Sequence, residues 1–292
     1  SPPYWGLRDY HVDNQLGLED TFTEYIDKLC NIFDEIKRVL KPTGTCFVNL
    51  GDTYAGAIGY NKNEREKYLE RHPNGLDNEG RFLDRPNKKV SGIKSKSLCQ
   101  IPSRFAIEMT NRGWILRNEL IWWKPSCMPS SAKDRFTVDF EKVFFFVKNK
   151  KYYFEQQFEK FADKRMGNCG KNNKSKYNNI RHDIAKLLKE GWNYDKKHTG
   201  RNKRCVWKVA TQPFSGSHFA VYPEKLIIPM IKSGCPENGI VLDPFMGAGT
   251  TGLVSVKLNR SFVGIELNPE YIEIAEKRIN AELNNQATKL FT

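Results

Sequence analysis

No stretch of this chain approaches the run of about 18 apolar residues that spans a membrane. Nor does it carry the charged head and apolar core of a secretory leader. The seven cysteines (Cys30, Cys46, Cys99, Cys127, Cys169, Cys205, Cys235) are scattered, odd in number and never spaced as Cys-x-x-Cys. That excludes a disulfide framework or a zinc ribbon. It predicts reduced, mostly buried thiols in a cytoplasmic protein. Histidines number only five, and no His/Cys/Asp cluster has ligand spacing, so no metal is implied. No Gly-Lys-Ser/Thr follows any glycine-rich turn, which excludes a Walker-type phosphate loop.

What is present is a 292-residue chain with 39% hydrophobic and 28% charged residues. That suits a soluble globular protein, as one large domain or a core with a smaller appendage. The net charge of +13 is uneven: Lys148 to Lys208 holds 18 lysines and arginines against 6 acids. Nearly the whole imbalance therefore sits in one stretch. Polyanion binding is its functional reading, because each cation set against a phosphate releases condensed counterions. A solvated basic face or a disordered loop is the other. Interleaved aromatics (Tyr152, Tyr153, Phe154, Phe158, Phe161, Tyr177, Trp192, Tyr194) either stack on bases or fill a small core.

Phe22, Tyr25, Ile26, Leu29, Phe33, Ile36 and Leu40 recur at helical spacing, and Pro42 and Gly44 end the helix. Residues 45–50 read as a strand. Residues 54–97 are polar, without a sustained period, and read as a long insertion. A helix over 102–111 and buried strands over 114–123 and 141–148 follow. Residues 184–188 are a short candidate helix, and 223–232 a longer one with proline in its first turn. The clearest unit comes last. A buried strand (239–243), a glycine-rich turn (246–251), a helix (250–258), a second buried strand (261–266) and a helix after Asn268 form a βαβ motif.

The turn Asp243-Pro244-Phe245-Met246-Gly247-Ala248-Gly249-Thr250-Thr251 lies at the carboxyl end of a strand, where open α/β sheets bind ligands. Glu266 ends the next strand, and a carboxylate there can accept from both hydroxyls of a ribose. Gly247, Gly249 and Gly252 match Gly-x-Gly-x-x-Gly, so a dinucleotide fits. S-adenosylmethionine fits better, because Asp243 repels a diphosphate and attracts an amino-acid ammonium.

The chain opens Ser1-Pro2-Pro3-Tyr4. An amino group on an aromatic ring is a poor nucleophile, its lone pair delocalised into the ring. Acceptors around its two N–H bonds favour a tetrahedral nitrogen. A Pro-Pro pair presents carbonyls in a fixed direction and donates nothing. Ser1 Oγ can accept as well, and Tyr4 offers a ring on which an extruded base stacks. Taken alone, the tetrapeptide also reads as a proline-rich turn.

Ser-Pro-Pro-Tyr early and Asp-Pro-Phe-x-Gly-x-Gly-Thr late resemble the β group of S-adenosylmethionine-dependent DNA amino-methyltransferases, in which the catalytic motif precedes the cofactor motif. The resemblance covers most of the chain. It includes Asn49-Leu50-Gly51-Asp52-Thr53-Tyr54, Arg117 to Pro125, and Ser217-His218-Phe219-Ala220-Val221-Tyr222-Pro223. It implies a Rossmann-like α/β sheet with helices on both faces and circularly permuted motifs. Catalytic core then occupies 1–150, with an insertion at about 55–98. A basic target-recognition insertion occupies 151–208, and the cofactor-binding part 209–292. It places Ser1, Pro2, Pro3 and Tyr4 at the target base. Around S-adenosylmethionine it places Asp243, Pro244, Phe245, Gly247, Gly249, Thr250, Glu266, Asn268, His218 and Phe219. A structural role for His218 competes with cofactor contact.

The implied reaction is methylation of cytosine N4 in duplex DNA by base flipping, with N6 of adenine as the alternative. Ser-Pro-Pro-Tyr is the more typical of cytosine enzymes, Asp-Pro-Pro-Tyr of adenine enzymes. No Pro-Cys dipeptide is present, which argues against a C5-cytosine enzyme. The implied partners are double-stranded DNA, a cognate restriction endonuclease and a second copy of the chain. The competing readings are a catalytically dead DNA-binding relative and a nicotinamide-dependent oxidoreductase. Asp52 either lines the cleft or caps a turn, whereas Trp122, Trp123, Trp192 and Trp207 read as core. Family members carry further residues before the tetrapeptide, including the strand that delivers it. Without that strand the sheet is expected to have a gap edged by unpaired backbone groups, leaving this chain poorly stable and weakly active.

Overall fold

The computed structural model describes residues 1–7, 9–10, 12–55, 92–160, 200–212 and 221–289. The expected insertion (56–91), the short candidate helix at 184–188, Trp192, His218 and Phe219 lie outside them. Two compact units result: Ser1–Glu155 with Cys205–Thr292, and Gln156–Arg204.

In the larger unit, helix α1 (Phe22–Val39) starts at Thr21, whose hydroxyl accepts from the Glu24 N–H at 3.2 Å. It buries Tyr25, Ile26, Leu29, Cys30 and Phe33, each large side chain contributing about 1.5–3 kcal/mol. Strand β1 (Thr45–Leu50) follows. The chain then leaves at Thr53 and returns at Cys99 through a ladder that fixes the insertion's base: Ala55 N–H to Ser97 O, Lys96 N–H to Ala55 O, and Cys99 N–H to Thr53 O, at 2.8–2.9 Å. Helix α2 (Ile101–Asn111) packs on α1. Arg112 joins the two, bonding Asp27 and Asp34 of α1 and Glu108 of α2.

Strands β2 (Ile115–Trp123) and β3 (Phe140–Val147) pair antiparallel, and β3 also pairs antiparallel with β1. Strand β3 is the centre of this sheet, and Val143 to Val147 are all buried. Phe144 and Phe146 face α1 and α2, while Val143 faces the other layer with Leu120 and Trp122. Strand β2 is less buried than expected, with Arg117, Asn118 and Glu119 exposed.

The smaller unit contains β4 (Phe158–Lys160) and β5 (Gly200–Asn202), an antiparallel pair. Glu159 on β4 accepts from both Arg201 and Arg204. Back in the larger unit, β6 (Val206–Lys208) pairs parallel with β2 and buries Trp207.

Helix α3 (Glu224–Gly234), β7 (Ile240–Asp243), α4 (Thr250–Lys257), β8 (Ser261–Gly264) and α5 (Pro269–Lys289) complete the chain. Strands β7 and β8 run parallel around α4, the expected βαβ unit. They are shorter and more open than expected. Ile240 of β7, Val263 of β8, and Ile265 and Leu267 just after β8 are exposed, and the two strands form a sheet section of their own.

The sheet is divided. β1-β3-β2-β6 forms one section and β7-β8 another. Among the described residues, β1 has a strand partner only in β3, and β7 only in β8. Helix α3 spans both sections. Its Gly234 carbonyl accepts from Thr45 Oγ1 of β1 at 3.0 Å, and its apolar face shares a cluster with Phe47 of β1 and Val241 of β7. A Cβ at Gly234 would meet Thr45 Oγ1 at 2.3 Å, so this contact requires glycine.

Six of the seven cysteines are described and all are free, but only Cys30 and Cys99 are buried. Sequence spacing identifies free thiols more reliably than their depth. No described helix is long and apolar enough to cross a membrane. No described group of His, Cys, Asp and Glu could hold a metal ion.

The divided sheet predicts a graded hydrogen exchange. Amides of β3 exchange only with global opening, and outward amides of β1 and β7 about a hundredfold faster or more. Equal protection of all three strands would contradict the division.

Candidate active site

The tetrapeptide at residues 1–4 is clamped from three sides. Tyr25 OH of α1 donates to the Pro3 carbonyl at 2.8 Å. Tyr4 OH donates to Glu141 Oε2 at 2.8 Å and lies 3.2 Å from Asn49 Oδ1. Its ring lies so close to Gly51 that a Cβ there would fall 2.5 Å from it. Trp5 Nε1 donates to the Glu19 carbonyl at 3.0 Å, fixing the next turn. The clamp distinguishes the two proline carbonyls. That of Pro3 is occupied by Tyr25, whereas among the described residues no donor reaches that of Pro2.

At the other end of the chain, the glycine-rich turn joins β7 to α4. Gly247 and Gly249 have φ of +52° and +75°, a conformation glycine adopts without strain. A Cβ at Gly249 would meet Ala275 of α5 at 2.6 Å. Arg278 of α5 donates to the Ala248 carbonyl and to Thr250 Oγ1, bracing the turn from behind.

The two acidic residues are more committed than the sequence suggests. Asp243 is 6% exposed. Its carboxylate accepts from Phe245 N–H at 3.0 Å, Thr251 Oγ1 at 2.5 Å and Tyr222 OH at 3.1 Å. Three of its roughly four acceptor positions are thus taken within the protein. An aspartate two residues before a free N–H closes on its own turn. Glu266 does remain at the surface of the cleft. Oε2 accepts from Gly247 N–H at 2.8 Å, and Oε1 from Leu267 and Asn268 N–H, each at 2.9 Å. A carboxylate has about four acceptor positions, so one remains for a ribose hydroxyl, where two hydroxyls were expected. Asn268 caps α5 by accepting from Glu270 N–H at 3.0 Å.

One cavity of about 960 Å³ joins the two ends of the chain, at the upper end of the usual range for ligand pockets. Ser1, Pro2, Pro3 and Tyr4 line one part, and Pro244, Phe245, Gly247, Thr250, Glu266 and Asn268 another. Gly249 and Asp243 shape the turn without lining the cavity.

Four further residues wall the cavity. Lys124 and Glu141 form an ion pair at the facing ends of β2 and β3, with Lys124 Nζ 4.4 Å from the centroid of the Trp122 ring. Trp122, read as core, is both core and wall. Tyr222 lines the cavity and hydrogen-bonds Asp243 and Thr251. Asp52 settles as a cap: its Oδ1 accepts from Ile101 N–H at 3.0 Å, at the start of α2, and from Thr53 N–H at 2.9 Å. Burial raises its carboxyl above the usual range despite these bonds.

The strand-turn-helix unit and the proline pair thus line one cavity. A sequence profile for DNA methylases, of the N6- and N4-amino type, matches residues 1–277. Type II methyltransferase M.Cfr9I of Citrobacter freundii is 38% identical over 98% of this chain and 81% of its own length. M.SmaI of Serratia marcescens, also a Type II methyltransferase, is 37% identical over 96% of this chain and 82% of its own. Among solved structures, a PvuII DNA methyltransferase described as cytosine-N4-specific superposes with a TM-score of 0.58. It is 18% identical, over 97% of this chain and 82% of that one, and it supports the Rossmann-like methyltransferase fold. The chain belongs to the N6/N4 DNA methylase family. Its methyl donor is S-adenosylmethionine.

Burial first, and then Glu141, pushes the Tyr4 phenol well above its ordinary value. Burial followed by Glu19 does so for Tyr25, and burial followed by Asp243 for Tyr222. A raised folded-state value means the folded protein holds protons that the unfolded chain gives up. This stabilisation is intact below about pH 10 and is lost above it. These three phenols are therefore expected to ionise only together with alkaline unfolding, when phenolate absorbance is followed beside circular dichroism. Their reversible titration in the folded protein near pH 10 would disprove the clamp.

Proposed function

We propose that this DNA methyltransferase modifies the exocyclic N4 of cytosine in duplex DNA after flipping the base from the helix. The observation that carries the reading is the shared cavity, which sets the Pro2 carbonyl and the glycine-rich turn on one space. Serine rather than aspartate before the prolines favours cytosine over adenine.

When bound, S-adenosylmethionine supplies a methyl group activated by its sulfonium. Glu266, Phe245 and Gly247 stand where they can hold its nucleoside half, and Thr250 where it can face its amino-acid half. Extrusion of the base costs a few kcal/mol, and stacking on Tyr4 offsets part of that cost. The Pro2 carbonyl and Ser1 hydroxyl accept from the two N–H bonds of the target amino group. That pulls the nitrogen toward tetrahedral geometry and frees its lone pair. The methyl group moves to the nitrogen in line, and one amino proton leaves to solvent afterwards. Tyr4, with its phenol held neutral, acts as a platform rather than a base. No covalent bond to the enzyme forms.

The basic stretch 151–208 is the segment that reads the sequence. A cognate endonuclease for the same sequence fits the Type II methyltransferases that the chain resembles.

The deciding test incubates the protein with tritium-methyl S-adenosylmethionine and mixed-sequence duplex DNA, then separates the nucleosides. Label in N4-methylcytosine is the expected result. Label in N6-methyladenine retains the chemistry and overturns the base. Tyr4→Ala is expected to lower kcat/KM for DNA by about 10- to 100-fold, the loss of a stacking surface worth about 1–3 kcal/mol, with cofactor affinity little changed by calorimetry.

A further inference from the structure

Between β2 and β3 the chain makes a long excursion, residues 124–139, without helix or strand. Its two ends are part of the active site, since Lys124 and Glu141 pair there and both wall the cavity. The excursion is held at several points. Lys124 N–H donates to the Asp139 carbonyl at 2.7 Å, and Trp123 Nε1 to the Asp139 carboxylate at 2.9 Å. Lys96 bonds Asp134 at 2.7 Å, and the Arg135 guanidinium lies 3.6 Å from the centre of the Tyr54 ring. Yet this anchored loop presents Met128 at 88% and Phe136 at 97% exposure.

An apolar ring held in water beside an active site needs a partner. The loop's charges indicate which one. Lys133 and Arg135 flank Asp134, whose charge is already met by Lys96, so the tip has a cationic surplus around its apolar side chains. Cations set against phosphates, with an apolar side chain between base steps, are how proteins open a base stack.

We propose that the 124–139 loop is the wedge of this enzyme, with Phe136 and Met128 entering the duplex as the target base leaves it. The partner is double-stranded DNA, and the inference rests on the base-flipping function proposed above. The loop is well placed for the role, because its ends hold Tyr4 through Glu141. The side chains that fill the vacated stack thus stand on the hairpin whose β3 strand holds, through Glu141, the platform that receives the base.

The test first maps the methylated sequence with the wild-type protein. Two duplexes of that sequence are then compared, one with the target base normally paired and one with it opposite an abasic site. In the second duplex the base is already poorly held. Met128→Ser/Phe136→Ser is expected to methylate the paired duplex about tenfold or more slowly than wild type, since unstacking then lacks its support. On the abasic duplex it should match wild type. Phe136→Leu, which keeps an apolar wedge, should stay near wild type on both.

Equal loss on both duplexes would mean a structural role, and no loss on either would mean no role. Both overturn the wedge while leaving the methyltransferase reading intact. A concentration-dependent dimer in sedimentation that the double serine variant abolishes, without selective loss on the paired duplex, overturns it in favour of a protein contact. A wild-type protein that labels no DNA at all overturns the functional reading itself.

Discussion

The site depends on a strand buried on both faces. Val143 to Val147 on β3 pack toward α1 and α2 on one side and toward Trp122 and α3 on the other. Because β3 is central, its register with β1 and β2 is fixed twice, and a slip of one residue would move every side chain to the wrong layer. Just before this run stands Glu141. The strand that organises the core thus also sets where Glu141 can be, and Glu141 with Asn49 of β1 sets the ring of Tyr4. The Ser1–Tyr4 tetrapeptide is not itself part of a described strand. Its geometry is taken from α1 through Tyr25, from β1 through Asn49 and Gly51, and from β3 through Glu141.

Much of this was legible in the sequence where a local pattern carries its own meaning. The helical spacing from Phe22 to Leu40 gave α1 nearly to the residue. The sequence Ile240 to Asp243, then glycines, then Thr250 gave the βαβ turn. Ser1 to Tyr4 stood out because two prolines present carbonyls and no donors. Pairing of strands was less legible. The apolar run on β3 suits a parallel or an antiparallel neighbour. Single charged residues were missed for a similar reason. Lys124, Glu141 and Arg278 look in sequence like solvated strand and helix ends, and only tertiary neighbours turn them inward. The one signal for Glu141 was its position, with Lys142, at the head of the uncharged run Val143 to Val147.

In the glycine-rich turn the two acidic residues are tied into the fold to similar degrees but at different depths. Asp243 and Glu266 end adjacent parallel strands, and both were expected to meet the ligand. Each accepts three hydrogen bonds, Asp243 from Phe245, Thr251 and Tyr222 and Glu266 from Gly247, Leu267 and Asn268. The difference is one of depth. Asp243 is buried, where an unpaired charge would be costly. Glu266 borders the cavity.

A rigid turn and a rigid tetrapeptide have a consequence for the chemistry. Methyl transfer needs the acceptor nitrogen and the sulfonium aligned within a few tenths of an ångström, which favours groups whose positions are fixed before the substrates arrive. On the proposed function the Pro2–Pro3 backbone would meet that need, because Tyr25 holds one carbonyl while proline geometry holds the other. Duplex DNA, by contrast, would have to be deformed before its base could reach them. The fold separates the two demands. The alignment is built on helices and central strands, and the exposed apolar side chains stand on a loop between two of those same strands. A deformation at the loop can then be coupled to the site through Lys124 and Glu141 without loosening the core on which the alignment rests.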